Sequence, residues 1–408
     1  MVIFNRILGL LLTGAVWLCG VLGIASAGLS NNRLLTDGFL KSGLAKIDAR
    51  NLDYYNTGYL ACTQYLVTRG GKEIHYGTQG FADIEAEQIA QRDSIFRMMS
   101  MSKPIASVAI LLQAEKGLLN LDDPVAKFIP AMANMQIGLL NQDGSLKGTA
   151  PAQTQITIRH LLTHSAGFGS GAIMNHQLQT QDIHGKTLAQ MADIFPQVML
   201  EFEPGTAHSY SGLLAFDLLG YLVELTSGQP LDAFLQENLF DPLEMADTGF
   251  TLTDAQKSRL ARVYAASENG FVPMAEPAIP SADSYFSLGA GLYSTIQDYH
   301  NFCLMLLQNG TYNGKQILQA DSVTQLRSIA PGDNTWGLGV RVVENSSIFS
   351  AGLPCGSYGW SGAYGTHFWI DPENEIIGIY FSNMGTSGGA GAPAAVAFEK
   401  DVMGAFVF

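Results

Sequence analysis

The first part of the chain contains two runs of residues with high β-strand propensity, separated by a turn. Residues 59–67 and 72–80 are predicted strands, and Gly70-Gly71 between them is typical of a hairpin turn. From about residue 98 the apolar positions recur at i, i+3, i+4 and i+7, which predicts an amphipathic helix over residues 98–116. Gly117 directly after this segment is a typical helix end.

The central part of the chain, about residues 118–284, contains short helical patterns separated by loops with Gly and Pro. One longer helix is predicted to be capped by Ser211 and ended by Gly228. Just beyond this part, a further helix is predicted to begin at Ser294, because Ser294-x-x-Gln297 matches a capping box.

Strand patterns return near the C-terminus, over residues 338–343, 365–370 and 375–382. An Ala-rich helix from about Pro393 follows them. Strands at both ends and helices between them predict an α/β (α+β) fold, with one antiparallel sheet built from both termini, flanked by helices, and a large helical domain inserted. The sheet domain is predicted to comprise residues 28–97 and 285–408, and the mostly helical domain residues 98–284.

The N-terminus carries an almost uninterrupted apolar stretch over residues 7–27, which follows Arg6 and contains no charge. It ends in Ala25-Ser26-Ala27, the small-x-small pattern that signal peptidase cleaves. We therefore predict a signal peptide over residues 1–27 and an exported protein, periplasmic or secreted. The alternative is an uncleaved membrane anchor, since the stretch is long enough to begin to span a bilayer.

The composition of the chain excludes several classes of protein. Its 36 acidic and 22 basic residues give a net charge of −14, which disfavours nucleic-acid binding through a basic face. Only 14% of residues are charged and 44 are glycine, which is unlike a coiled coil, while 47% hydrophobic residues are too many for a disordered chain.

The spacing of the cysteines and histidines matches neither a metal-binding motif nor a disulfide framework. Beyond the signal peptide only Cys62, Cys303 and Cys355 remain, which allow at most one disulfide and are interpreted as small buried hydrophobes. His160 and His164 lie four apart on a predicted helix, but no carboxylate stands near them to complete a metal site. We predict neither metal nor cofactor.

Ser100-Met101-Ser102-Lys103 places a hydroxyl and an amine three residues apart at the start of the predicted helix, on one face. The positive field of a helix N-terminus favours a neutral amine, and a neutral amine beside a hydroxyl is a base beside its nucleophile. The alternative is an ordinary exposed helix start with Lys103 in solvent.

Two later motifs complete the candidate chemistry. Tyr210 directly precedes a predicted helix, and it would face Ser100 and carry a proton to a leaving group, unless it is simply a packing residue. Trp360-Ser361-Gly362-Ala363 lies at the entrance to the next-to-last predicted strand, where Gly362 permits close backbone approach. The Ala363 N–H would then join the Ser100 N–H in an oxyanion hole. Alone, this motif is an ordinary turn.

In this order, the motifs S-x-x-K, Y-S and W-S-G resemble the serine β-lactamases of the class C (cephalosporinase) type and their penicillin-binding relatives. Linking segments are similar to that family too: FRMMSMSKPI, GLLNLDDPVAKFIP, ITIRHLLTHSAGF, FEPGTAHSYSG, GAGLYSTIQDY and GTHFWIDPENEIIGIYFSN. The resemblance covers about residue 34 to the C-terminus. It implies Ser100 as acylated nucleophile, Lys103 and Tyr210 as base and acid, and the Ser100 and Ala363 N–H groups as oxyanion hole.

Two departures from the family pattern bear on the substrate. Gly212 stands where Y-x-N has an amide, and Trp360 stands where K-T-G has the cation that binds a substrate carboxylate. An anionic substrate would lose a charge-assisted bond worth about 1.5–3 kcal/mol, whereas a neutral ester loses nothing. W-x-G resembles the carboxylesterase branch, with Trp360, Ser361 and Gly362 as substrate-binding residues.

The sequence thus predicts a serine hydrolase whose partner is a small-molecule ester. One alternative keeps the fold but takes a β-lactam or a peptidoglycan peptide, as a β-lactamase or D-alanyl-D-alanine carboxypeptidase does. Another is a penicillin-binding-like scaffold without catalysis. Gly385-Thr386-Ser387-Gly388-Gly389 also fits G-x-S-x-G, but no histidine follows Ser387, so the order of an α/β-hydrolase is excluded.

Overall fold

The structure is a computed structural model. It describes residues 35–407 except 175–176, 178–186, 269, 278, 281–284, 331, 333–334, 345–351 and 386–387. The predicted signal peptide, residues 1–27, lies outside the described residues. Within them, no helix combines the length and the apolar character that a membrane span needs.

Seven strands form one antiparallel sheet. The strands of the described residues are β1 (Leu35–Thr36), β2 (Phe39–Leu40), β3 (Cys62–Arg69), β4 (Lys72–Asp83), β5 (Gln88–Ile89), β6 (Phe96–Arg97), β7 (Gln136–Leu140), β8 (Leu146–Pro151), β9 (Tyr264–Ser267), β10 (Gly270–Pro273), β11 (Tyr293–Ser294), β12 (Thr311–Tyr312), β13 (Lys315–Gln316), β14 (Arg341–Val342), β15 (Tyr358–Ser361), β16 (His367–Asp371) and β17 (Ile376–Ser382). The strands of the main sheet lie in the order β14-β15-β16-β17-β3-β4-β5. β17 pairs along its whole length with β3. The predicted sheet from both termini is therefore confirmed.

Helices cover both faces of this sheet. The helices of the described residues include α1 (Lys41–Asn56), α2 (Ser102–Glu115), α3 (Ile158–Leu162), α4 (Leu188–Met191), α5 (Leu214–Ser227), α6 (Leu231–Leu235), α7 (Asp254–Lys257), α8 (Ile296–Leu307), α9 (Ala320–Leu326) and α10 (Pro393–Ala405). α1 and α10 pack against one face, and α8 packs against the other. Because both faces are covered, β3 and β17 are buried almost throughout.

The region inserted between β6 and β11 is built around α2, α5 and α6. α2 is buried from Ser102 to Gln113 and packs against α5. This region also carries two hairpins, β7–β8 and β9–β10, which the helical prediction omits. Their short pairs form outside the main sheet, so they leave the predicted architecture unchanged.

The predicted glycine positions agree with the structure, but the predicted serine caps do not: the N-cap of α5 is Leu213, and Ser211 Oγ accepts from the Ala215 N–H at 3.1 Å. Gly70 and Gly71 adopt φ of +54° and +80° in the β3–β4 turn, and Gly228 ends α5 at φ +71°. The predicted Ser294 cap is wrong. The N-cap is Thr295, whose Oγ1 accepts from the Asp298 N–H at 3.1 Å, because the Ser294 hydroxyl is held 2.7 Å from Thr248 Oγ1.

The three cysteines among the described residues are free, and they differ in exposure. Cys62 and Cys303 are buried, and burial raises the pKa of both thiols. Cys355 is exposed, so the interpretation as a buried hydrophobe is wrong for that residue, whose thiol donates to the Glu344 carbonyl instead.

Candidate active site

Ser100 lies on a tight turn between a strand and a helix. β6 leads into a 3₁₀ turn over Met99–Met101, and α2 follows directly. Met99 has φ +48°, a left-handed conformation that is costly for a residue with a side chain. The turn leaves Ser100 half-buried at the helix start, while the neighbouring Met98 and Met101 are buried.

Lys103 is fully buried, which rules out the alternative of a lysine in solvent. Its Nζ lies 2.6 Å from the Gly212 carbonyl oxygen, 2.8 Å from the Gly289 carbonyl oxygen and 3.2 Å from Ser100 Oγ. Burial lowers the pKa of Lys103 below its ordinary 10.5, although Tyr210 and Asp217 oppose the shift. A neutral amine fits this geometry: its two N–H bonds donate to the carbonyls, and its lone pair accepts the Ser100 hydroxyl.

Tyr210 lies on the other side of Ser100. Its hydroxyl donates to Ser100 Oγ at 2.7 Å, so Tyr210, Ser100 and Lys103 form one continuous hydrogen-bonded chain. The Tyr210 ring also lies 5.0 Å from Lys103 Nζ. The structure thus brings together all three residues that the sequence singled out for chemistry.

His164 and Trp336 support Tyr210, and the sequence did not identify this role. The His164 Nδ1 accepts from the Ser211 N–H at 3.0 Å, and its ring lies 4.8 Å from Tyr210 and 4.3 Å from Trp336. Burial lowers the pKa of His164 well below 6.5, so the ring is neutral, as an accepting Nδ1 requires. In the sequence, His164 belongs to the segment ITIRHLLTHSAGF, which resembles the family, and no local pattern indicates its contact with Tyr210.

Asp217, fully buried on α5, is a second residue that sequence reasoning missed. Its carboxylate accepts from Ser287 Oγ at 2.8 Å, from the Gly289 N–H at 2.9 Å and from the Tyr285 hydroxyl. Burial raises the pKa of Asp217, while these hydrogen bonds oppose that shift. Because Gly289 donates to Asp217 and accepts from Lys103, Asp217 fixes one of the two carbonyls that hold the lysine amine.

Trp360 and Ser361 on strand β15 point to opposite faces of the sheet, because successive side chains of a strand alternate between its faces. The Trp360 ring lies 5.4 Å from Tyr210 and 4.8 Å from Trp336. Ser361 instead lies 2.8 Å from His367 Nδ1. Of the predicted substrate-binding side chains, the structure therefore brings Trp360 to the Tyr210 cluster and turns Ser361 away from it.

Gly362 brings the end of β15 against the turn that carries Ser100. A Cβ atom at this position would overlap the Met98 carbonyl oxygen and Thr366 Oγ1. Among the described residues, no acceptor is hydrogen-bonded to the Ala363 N–H that follows. The predicted close approach at Gly362 is thus present, and the Ala363 N–H is available to a ligand.

We expect Gly362→Ala to destabilise the protein by about 1–3 kcal/mol, because the new methyl group forces two packed segments apart. It should also lower ester turnover, since Ala363 moves with Gly362. Thermal unfolding and steady-state kinetics measure the two effects. Gly404→Ala is the control, because a Cβ there meets nothing within 4 Å. Equal stability and turnover in the two variants would contradict the close approach.

A family model described as Beta-lactamase matches residues 54–399. The chain belongs to the β-lactamase family. It is 28% identical to esterase EstB of Burkholderia gladioli over 83% of this chain and 90% of EstB. It is 26% identical to acyltransferase calJ of Penicillium decumbens over 86% of this chain and 90% of calJ. Among solved structures it resembles EstCE1, a hydrolase with promiscuous acyltransferase activity, with a TM-score of 0.72, 25% identity, and coverage of 89% and 99% of the two chains.

These similarities confirm the predicted family and fold class. The chain is a serine hydrolase of the β-lactamase family, and the likeness to EstB and EstCE1 supports its esterase branch.

Proposed function

We propose that this chain is a carboxylesterase that cleaves small neutral esters through an acyl-enzyme on Ser100. The observation that carries the proposal is the hydrogen-bonded chain from Tyr210 through Ser100 to the buried Lys103. A neutral lysine accepts the serine proton as the serine oxygen attacks, which is how a weak hydroxyl nucleophile is activated. We also propose export, on the strength of residues 1–27.

In the first half-reaction, Ser100 Oγ forms a bond to the ester carbonyl carbon and its proton passes to Lys103 Nζ. The carbonyl oxygen becomes an oxyanion, which the N–H groups of Ser100 and Ala363 stabilise. The bond to the alcohol oxygen then breaks. Tyr210 donates its proton to that oxygen and recovers one from Lys103, so the alcohol leaves neutral and the acyl group remains on Ser100.

In the second half-reaction, water attacks the acyl carbon and gives up one proton, which Tyr210 relays to the neutral Lys103. The bond to Ser100 Oγ breaks, and Ser100 regains a proton as the carboxylic acid departs. We propose that the site lies where the inserted domain, residues 98–284, meets the sheet domain.

The preference for neutral substrates rests on Trp360. The indole is 7% exposed and packs among Tyr210 and Trp336, so this wall of the site is apolar where the family places a lysine. Desolvating a substrate carboxylate against such a wall costs free energy that no partner there restores.

Trp360→Lys should therefore shift the preference toward anionic substrates. We expect the ratio of kcat/KM for a chromogenic cephalosporin to that for p-nitrophenyl butyrate to rise about tenfold or more. Trp360→Phe is the matched control. It keeps the apolar wall and loses no hydrogen bond, because Trp360 Nε1 has no partner among the described residues. A ratio that stays the same in both variants would refute the role of Trp360.

A second candidate function, hydrolysis of a β-lactam or a peptide carboxylate, is favoured by Arg341. Its guanidinium lies 4.3 Å over the Trp336 ring and donates to Thr335 Oγ1. This cation stands one aromatic ring away from Trp360 and is the nearest candidate to replace the missing lysine. Rapid cephalosporin hydrolysis by the unaltered protein, and its loss in Arg341→Gln, would establish this function in place of the esterase.

A further inference from the structure

A cavity of about 60 Å³ lies between β14–β16 and α10, and its lining includes Trp360, Ser361 and Glu399. Most of its wall is apolar, formed by residues that include Val343, Leu353, Trp369 and Val396. Ser100, Lys103 and Tyr210 do not line it. The cavity therefore shares Trp360 with the site proposed for ester cleavage but contains none of its three reacting side chains.

One end of the cavity carries a row of three polar side chains. Ser361 Oγ lies 2.8 Å from His367 Nδ1, and His367 Nε2 lies 3.0 Å from Glu399 Oε1. The three residues are 4%, 8% and 3% exposed. A neutral His367 can donate Nε2–H to the Glu399 carboxylate while its Nδ1 accepts the Ser361 hydroxyl.

This arrangement leaves one polar atom without a partner. Glu399 Oε2 is buried and has no hydrogen-bond donor among the described residues. A buried carboxylate oxygen without a donor costs several times what an ordinary hydrogen bond contributes. Because an ionised carboxylate only accepts hydrogen bonds, the missing group must be a donor.

Charge decides which kind of donor fits best. His367 is the residue in contact with Glu399, and no lysine or arginine side chain forms an ion pair with Glu399 in the described part of the chain. Arg341 also lines the cavity, but its guanidinium is engaged with Trp336 and Thr335. A cationic donor would make a charge-assisted bond to Oε2, whereas an anion would meet the carboxylate charge.

We propose that this cavity binds a short alkylammonium ion, with the ammonium on Glu399 Oε2 and the alkyl chain against the apolar wall. Since one water needs about 10–15 Å³ of such space, 60 Å³ holds roughly four to six heavy atoms, the size of propylamine or butylamine. The inference does not depend on Ser100 or on ester cleavage.

The test is calorimetric titration of the full chain at pH 8 with n-butylammonium chloride, n-butanol and sodium butyrate. The ammonium ion is expected to bind at least about tenfold more tightly than butanol, and butyrate not at all. The Ser100→Ala protein should bind equally well. An unaltered protein that binds the amine but hydrolyses no ester would refute the proposed function and leave this site standing.

Glu399→Gln is the decisive variant, because it keeps the shape and turns the free acceptor into an N–H donor. Amine affinity should fall at least about tenfold, while the surface change Glu268→Gln leaves it unchanged. Ala395→Val is a second variant that keeps Glu399 but narrows the cavity, and it should weaken butylammonium more than methylammonium. Equal binding of butanol, tighter binding of butyrate, or unchanged affinity in Glu399→Gln would each overturn the proposal.

Discussion

Ser100→Ala is expected to lower kcat/KM for p-nitrophenyl butyrate by at least about 10³-fold, because it removes the atom that forms the acyl bond. Lys103 and Tyr210 remain, but neither is placed to replace the lost oxygen. Fold and thermal unfolding should change little, since Ser100 is half-buried and its hydroxyl contacts only these two side chains in the described structure.

Ser107→Ala is the matched control for this loss. Ser107 is buried on α2, about two turns beyond Ser100, and its hydroxyl donates to the Lys103 carbonyl at 3.2 Å. Its turnover should stay close to that of the unaltered protein. Turnover that survives in Ser100→Ala would mean that another residue is the nucleophile.

Lys103→Met should lower kcat/KM by about 10²–10⁴-fold, because it removes the proposed base but retains the length of the side chain. Lys103→Arg should be equally impaired, since a guanidinium stays protonated and accepts no proton. The two variants separate a need for positive charge from a need for a proton acceptor.

The pH dependence of the unaltered enzyme follows from the same residue. Lys103 acts as a base only when neutral, so kcat/KM should rise as pH increases through its pKa. Burial lowers that pKa, and the rise should therefore occur below pH 10.5. The pH–rate profile of Lys103→Met should lack this rise in kcat/KM. A rise that is unchanged in Lys103→Met would mean that another group titrates.

The sequence was sufficient for the sheet and for the three reactive side chains. The β-rich runs, the Gly70-Gly71 turn and the S-x-x-K spacing are local signals, and the structure contains the corresponding strands, turn and Ser100–Lys103 contact. The role of Asp217 could not be predicted from the sequence. Its importance arises from contacts with residues 285–289, about 70 positions away in the chain, and no local pattern encodes such a pairing.

The orientation of Ser361 was accessible to sequence reasoning, whereas its partners were not. A strand period of two already places Trp360 and Ser361 on opposite faces. That Ser361 faces His367 depends on the register across the intervening turn, where Ser361 pairs directly with His367. Glu399 joins them only because α10 packs back onto the sheet.

The central claim is a covalent acyl group on Ser100, and rapid acid quenching during turnover tests it most directly. Intact-protein mass after mixing with p-nitrophenyl butyrate should show one added butyryl group, and peptide mapping should locate it on Ser100. The adduct should be absent from Ser100→Ala. A butyryl group on any other residue, or steady hydrolysis with no adduct at any quench time, would contradict the account.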